Sequence, residues 1–147
     1  MKFEKCNPYV RYCEIIKKNT SDDSQVFMKS YDNCMIYMIS GSADVFVENN
    51  KYTLSHGDIL IWRAGMSYKI VQNNFKSSYM HINFDYTAKK RTAFNFKIEP
   101  DLCENFDSDK ITDTSTFDDL KIFNFCVYCP KKNMLEELFL GLYSDFK

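Results

Sequence analysis

Across residues 26–86, short runs of β-branched, aromatic and other apolar residues are separated by turn formers, a pattern that predicts antiparallel strands rather than helices. The run 34–40 ends at Gly41, and 43–48 alternates up to Asn49-Asn50. Asn tolerates the positive φ of a tight turn, so this pair predicts a hairpin whose second strand is 51–54. A turn at Ser55-His56-Gly57-Asp58 leads into Ile59-Leu60-Ile61-Trp62, which is apolar at every position and therefore expected to be covered on both faces. Arg63-Ala64-Gly65 turns again, 68–72 is a strand, Asn73-Asn74 turns, and 78–86 runs back. Roughly five or six strands, recurring about every 8 to 12 residues, argue for a sandwich or barrel.

The flanks read differently. Residues 1–25 combine Asn7-Pro8, an apolar stretch 9–16 and a polar run 17–24, which predicts an N-terminal arm with one or two short strands. Residues 87–119 are polar and acidic with scattered aromatics, so irregular structure is expected there, and 121–128 is strand-like again. Asn133 with Glu136 three residues on has the form of a capping box. Leu135, Leu138, Phe139, Leu142 and Phe146 then recur at helical spacing as one apolar stripe that Leu140 and Tyr143 widen.

Composition narrows the function classes. Thirteen Phe and ten Tyr in 147 residues are enough to fill a β-rich core and to line a pocket. A formal charge of −1, with guanidinium groups only at Arg11, Arg63 and Arg91, makes this chain itself a poor partner for nucleic acid. No stretch approaches the ~20 apolar residues of a membrane span, and a cytoplasmic location is expected. The six irregularly spaced cysteines then read as reduced thiols. Cys126 and Cys129 form a lone Cys-x-x-Cys whose members, three apart on a strand, face opposite sides; core packing is the expected role. Adjacent acids such as Asp22-Asp23 and Glu136-Glu137 form no catalytic pair, and no nucleophile triad, phosphate loop or dinucleotide motif is present.

Three segments carry a family resemblance: Tyr37 to Gly41, Gly57-Asp58-Ile59-Leu60-Ile61-Trp62-Arg63-Ala64-Gly65, and Tyr79-Met80-His81-Ile82-Asn83-Phe84. They resemble the sensing domains of AraC-type bacterial transcription regulators, which implies a mainly β, cupin-like double-stranded β-helix, a jelly-roll barrel, followed by a C-terminal α-helix. Each piece has a physical reason. Gly57 supplies a turn conformation that other residues resist, Asp58 can bond the turn backbone, and Gly65 closes the next turn. Arg63 stands where most members have Pro. By this resemblance residues 1–25 are the arm, 26–128 the ligand-sensing barrel and 129–147 the start of a dimerisation helix region, with the DNA-binding helix-turn-helix half absent from the chain.

Cupin enzymes hold a metal through two His and a Glu on one strand pair and a third His on another. Spacing from Gly41 sets the first His positions at Phe27 and Lys29, or Met28 and Ser30, and the Glu position at Cys34; spacing from Gly57 and Gly65 sets the last at Tyr68. None is a plausible ligand set, so no metal, cofactor or catalytic residue is expected, and the chain is expected not to be an enzyme.

The resemblance turns one face of 79–83 into the barrel, which makes His81 and Tyr79 candidate ligand contacts, with Asn83 on the same face. His81 equally suits a structural role, bonded to a neighbouring strand. Tyr68 and Ile70 share the pocket face, as do Cys34, Ile36 and Met38 by strand parity. Lys29, if inward, needs a partner such as a ligand carboxylate, phosphate or hydroxyl; a register shift of one residue puts it in solvent. The leading reading is a sensor: a sugar or small organic effector enters the barrel, the arm closes, and a homodimer built on the Leu135, Leu138, Phe139, Leu142 and Phe146 stripe relays the change to DNA through the missing half. The alternatives are a metal-free cupin enzyme, such as a sugar isomerase or epimerase, and a stand-alone binding cupin. The enzyme requires a His–carboxylate pair in the pocket.

Overall fold

The strand pattern closes into two facing sheets. A computed structural model describes residues 1–17, 26–73, 76–87, 98–130, 141 and 143–145. Its strands are β1 (Tyr9–Lys17), β2 (Met28–Lys29), β3 (Asn33–Ser40), β4 (Ser42–Val47), β5 (Asn50–Ser55), β6 (Ile59–Trp62), β7 (Ser67–Gln72), β8 (Ser78–Asp85), β9 (Asp101–Leu102) and β10 (Val127–Cys129). One five-stranded sheet has the order β1-β8-β3-β6-β10 and the other β5-β4-β7-β2-β9. All pairings are antiparallel, and the chain crosses repeatedly from one sheet to the other, as a jelly roll requires.

Parity along β3, β6 and β8 divides the apolar residues into two layers. Cys34, Ile36, Met38, Leu60, Trp62 and Tyr79 face the second sheet and pack with its Val45, Val47, Leu54 and Tyr68. Tyr37, Ile59, Ile61, Met80, Ile82 and Phe84 face the other way, where Phe117, Val127 and the partly buried Met1, Phe123 and Tyr143 cover them. The expectation that β6 is apolar on both faces holds: all four of its residues are buried. Full burial of side chains such as Trp62, Ile36 and Leu60 stabilises the fold by about 1.5–3 kcal/mol each.

The turns obey their chemistry, with one displacement. Gly57 has φ 90°, its N–H donates to Met38 O at 2.8 Å, and Asp58 Oδ2 accepts from Ser55 N at 2.9 Å. The β4–β5 turn falls one residue earlier than Asn49-Asn50. Val47 pairs with Asn50, so Glu48 and Asn49 make the turn, and Glu48 takes the positive φ, 53°. Tertiary bonds hold it: Glu48 N donates to Ser67 O at 2.8 Å, and the Glu48 carboxylate accepts from Ser67 N at 3.0 Å and Ser67 Oγ at 3.2 Å.

Three segments depart from their expected forms. The stretch taken for an arm with short strands contributes β1, a nine-residue strand paired along β8 with a bulge between Val10 and Tyr12. The expected strand 121–128 begins instead as a 3-10 turn, Lys121–Asn124, because the Asn124 side chain bonds both the N–H of Phe117 at 2.6 Å and its carbonyl at 2.9 Å. The polar 98–119 region contains β9 and the 3-10 turns Cys103–Asn105 and Ser108–Lys110. Arg63, at the position where Pro was anticipated, anchors this region: its Nη2 donates to the Ser115 carbonyl and its guanidinium lies 5.0 Å from the Tyr86 ring centroid.

Cys126 packs on the inter-sheet layer and Cys129 on the outer one, and all six cysteines are free thiols. Among the described residues, no helix is long and apolar enough to cross a membrane. Gly141 and residues 143–145 are helical. The stripe residues Leu135, Leu138, Phe139, Leu142 and Phe146 lie outside the described residues.

Candidate functional site

A cavity of about 210 Å³ lies between the two sheets near the β1 edge. This is about the volume of seven liquid waters, room for a small organic molecule. From the first sheet it is lined by Glu14 and Ile16 of β1 and by Tyr79, His81 and Asn83 of β8; from the other side come Tyr68 and Ile70 of β7 with Glu99 and Pro100. Cross-strand register explains the grouping, since Glu14 pairs with His81 and Ile16 with Tyr79. Directly paired residues on one face bring their Cβ atoms to roughly 5 Å.

The site residues anticipated from sequence separate into two groups. Tyr68, Ile70, Tyr79 and His81 line this one cavity. Met38 is fully buried in the inter-sheet core, and Lys29 holds its Nζ 5.5 Å from the Phe106 ring centroid; neither lines the cavity. The Lys29 register explains its absence, because it sits opposite Ser67 and Asp101 while its neighbour Met28 is the residue paired with Tyr68. Glu14 and Glu99 were not anticipated. The alternation Tyr12-Cys13-Glu14-Ile15-Ile16 carries a signal for Glu14 once the stretch is a strand of the barrel; nothing in the sequence marks Glu99.

Aromatic rings form the walls. Trp62 lies 5.0 Å from Tyr68 and 6.1 Å from His81 between ring centroids, and Tyr79 lies 6.4 Å from His81. Burial pushes the Tyr68 phenol well above its ordinary range, with the charges of Asp32 and Glu99 acting in the same direction. The Tyr12 hydroxyl donates to Glu14 Oε2 at 2.7 Å, and that bond chiefly raises the Tyr12 phenol to about 12.

Beneath the cavity lies a buried polar cluster reached through Asn83. Its Nδ2 donates to Asp32 Oδ1 at 2.6 Å and stands 3.4 Å from Ser30 Oγ, while Ser30 Oγ donates to Asp32 Oδ1 at 2.8 Å. Asp32 accepts from both neighbours, which fixes the Asn83 amide with its nitrogen toward the cluster. Asn83 itself, only 6% exposed, belongs to the cavity lining and so links the cavity to this cluster. Arg11 supplies the cation of the cluster, with Nη1 3.0 Å from Asp85 Oδ2 and Nε 3.8 Å from Asp32 Oδ2. Burial raises both carboxyls, Asp32 and Asp85, despite the pull of Arg11 and of the hydrogen bonds each accepts.

The positions that hold metal in cupin enzymes do not fit one here. Met28 and Lys29 form a two-residue strand, and Cys34 and Tyr68 are core residues whose burial holds their protons. Among the described residues, no group of three or more His, Cys, Asp and Glu is placed to hold an ion.

No family model matches the sequence, and no curated protein does. Solved structures with a similar fold include an oxalate decarboxylase, at 13% identity and TM-score 0.46 over 69% of this chain and 31% of that one. Iron(II) HppE in complex with substrate is similar at 12% identity and TM-score 0.39, over 48% of this chain and 42% of that one. The coconut allergen cocosin is similar at 12% identity and TM-score 0.41, over 59% of this chain and 25% of that one. The chain therefore spans less than half the length of each, and no residue role is carried over from them. The expectation that the chain is not an enzyme is corrected by this set, because enzymes stand within it beside a seed allergen, and the fold leaves catalysis open. What the two sheets and their connections establish is the architecture, a mainly β, cupin-like jelly-roll barrel with a cavity between its sheets.

Proposed function

We propose that the chain is the ligand-binding part of an AraC-type regulator and takes a small polar molecule in the cavity between its sheets. The observation that carries the reading is the meeting of Tyr68, Tyr79 and His81 with Asn83 at one cavity, where aromatic rings stand beside polar groups that can orient a small molecule. The link to regulators rests on the sequence resemblance of residues 37–41, 57–65 and 79–84. Signalling would run through β1, which among the described residues pairs only with β8 and gives Glu14 and Ile16 to the cavity and Arg11 to the cluster below. A ligand favouring one position of β1 shifts the population of that position. Pairing of two copies through the terminal stripe, and action on DNA through a helix-turn-helix half, belong to the same proposal.

The test is a thermal-shift screen of small polar metabolites against the chain and its His81→Ala and Tyr79→Phe variants, followed by calorimetry. The reading expects a saturable ligand whose affinity falls at least about tenfold in His81→Ala. Saturable binding that ignores both substitutions would place the ligand elsewhere and overturn it.

A second reading has one specific observation in its favour. Glu14 opposite His81 is the His–carboxylate pairing that acid–base chemistry on a bound molecule requires. Following the bound compound by proton NMR over hours separates the two, since only the enzyme reading predicts its conversion.

A further inference from the structure

We infer that residues 98–107 form a detachable strap along one side of the inter-sheet cavity, and that the Tyr31 side chain is the latch that holds it shut. This rests on the reading of that cavity as a binding site and adds how a ligand is admitted to it.

The strap has no core of its own. Every residue from 98 to 112 is half-buried or exposed, while Tyr31, to which it is fastened, is only 2% exposed. Backbone pairing holds it over a short length: β9 meets β2 at two residues, Leu102 opposite Met28 and Asp101 opposite Lys29. Segments with little buried apolar surface open locally at a fraction of the free energy of global unfolding. Glu99 and Pro100, immediately before β9, line the cavity, so a strap that lifts takes part of the cavity wall with it.

Side-chain fastenings converge on Tyr31. Its hydroxyl donates to Asp101 Oδ2 at 2.5 Å and accepts from the Asp107 N–H at 3.3 Å, and its ring stacks on Phe106 at 4.7 Å between centroids. One buried side chain therefore grips both ends of 101–107. The hydrogen bond to Asp101 chiefly raises the Tyr31 phenol, so the hydroxyl keeps its proton and its donor role at neutral pH. The chain is fixed again just beyond the strap. There Thr112 N donates to Tyr31 O at 2.9 Å, and Asp113 Oδ2 accepts from Asn33 Nδ2 at 3.1 Å and from Tyr86 N at 2.6 Å. That leaves the stretch between the cavity and Thr112 to move, with the Tyr31 hydroxyl setting how readily it does so.

The experiment compares the wild-type chain with Tyr31→Phe, Asp101→Ala and Asp101→Asn, with no ligand added. Three rates are read: amide exchange by mass spectrometry, alkylation of Cys103 in the strap by iodoacetamide, and acrylamide quenching of Trp62. Trp62 is the chain's one tryptophan, fully buried and 5.0 Å from Tyr68 of the cavity wall. Tyr31→Phe keeps the ring on Phe106 and loses both hydroxyl bonds. It and Asp101→Ala are expected to speed exchange at 101–107 and Cys103 alkylation at least about fivefold, and to raise quenching of Trp62. Exchange in β3 and β8 is expected to stay unchanged, and Asp101→Asn, which keeps an acceptor for the hydroxyl, to retain wild-type rates. Exchange that rises equally in β3 and β8 would make Tyr31 a general support and overturn the latch. Unchanged exchange at 101–107 would overturn it as well. Loosening at 101–107 with Trp62 no easier to quench would show that the strap does not guard the cavity. These rates need no bound molecule, so the strap stands or falls separately from the binding reading, which the metabolite screen decides.

Discussion

Arg11 and Asp85 form a buried ion pair, Nη1 to Oδ2 at 3.0 Å, that ties the bulge of β1 to the end of β8. Both side chains are almost wholly out of water, and Asp85 also accepts from Thr112. Removing the cation leaves Asp85 and Asp32 without compensation, which costs more than the pair itself contributes. Arg11→Met is expected to lower stability by about 3–5 kcal/mol in urea unfolding. A loss under about 1 kcal/mol would mean that water already reaches the site.

The two carboxyls give stability a particular pH dependence. Burial raises Asp32 above its ordinary value, so the folded state binds this proton more tightly than the unfolded state does. Stability from this group is therefore fully present below the unfolded value of about 4 and is lost as pH rises through the higher folded value. Compared with Asp32→Asn, the wild type is expected to lose ground steadily as the pH is raised from about 4 toward neutrality. Thermal midpoints of both proteins across that range check it, and a constant difference would remove Asp32 as the titrating group.

Glu48 occupies a backbone region that a residue with a Cβ avoids, held by its bonds to Ser67. Replacement by Ala removes the carboxylate and keeps the strain; replacement by Gly removes both. Glu48→Gly is expected to be more stable than Glu48→Ala by about 1 kcal/mol in denaturant unfolding. The reverse order would show that the turn relaxes once Ser67 is released.

Arg63 fastens the 113–117 segment to the barrel through the Ser115 carbonyl and the Tyr86 ring. Arg63→Leu leaves a part-buried carbonyl without its donor and is expected to cost about 1–3 kcal/mol. Limited proteolysis supplies the second readout. Cleavage between residues 113 and 125 is expected to speed up more than unfolding alone explains, and unchanged cleavage there would deny the anchoring role.

The sheets were legible because their cause is local. Period-two alternation and Gly or Asn punctuation are written into β3 to β8, and Ile59 to Trp62, apolar throughout, announced a strand between two apolar layers. The cavity was legible on β7 and β8 for the same reason. Glu14 was not, since its place in the lining depends on β1 joining the barrel edge, a long-range pairing that nothing within residues 9–17 dictates. Glu99 comes from an irregular segment without periodicity, and Lys29 was misplaced by one step of strand parity, which exchanges faces. The hairpin turn moved to Glu48 because Ser67, distant in sequence, outweighed the local preference of Asn.

The outer layer of the first sheet is assembled from segments far apart in sequence, with Phe3 tilted against Phe117 at 5.4 Å and stacked on Phe123 at 5.2 Å between ring centroids. Until residues 117–129 leave the ribosome, Met35, Ile61, Ile82 and Phe84 have the N-terminal segment with Cys6 and Val10, but not Phe117, Phe123 or Val127, to lie against on that side. A nascent chain that lacks residues 117–129 leaves part of this apolar face uncovered, and covering it waits on contacts between segments more than 100 residues apart.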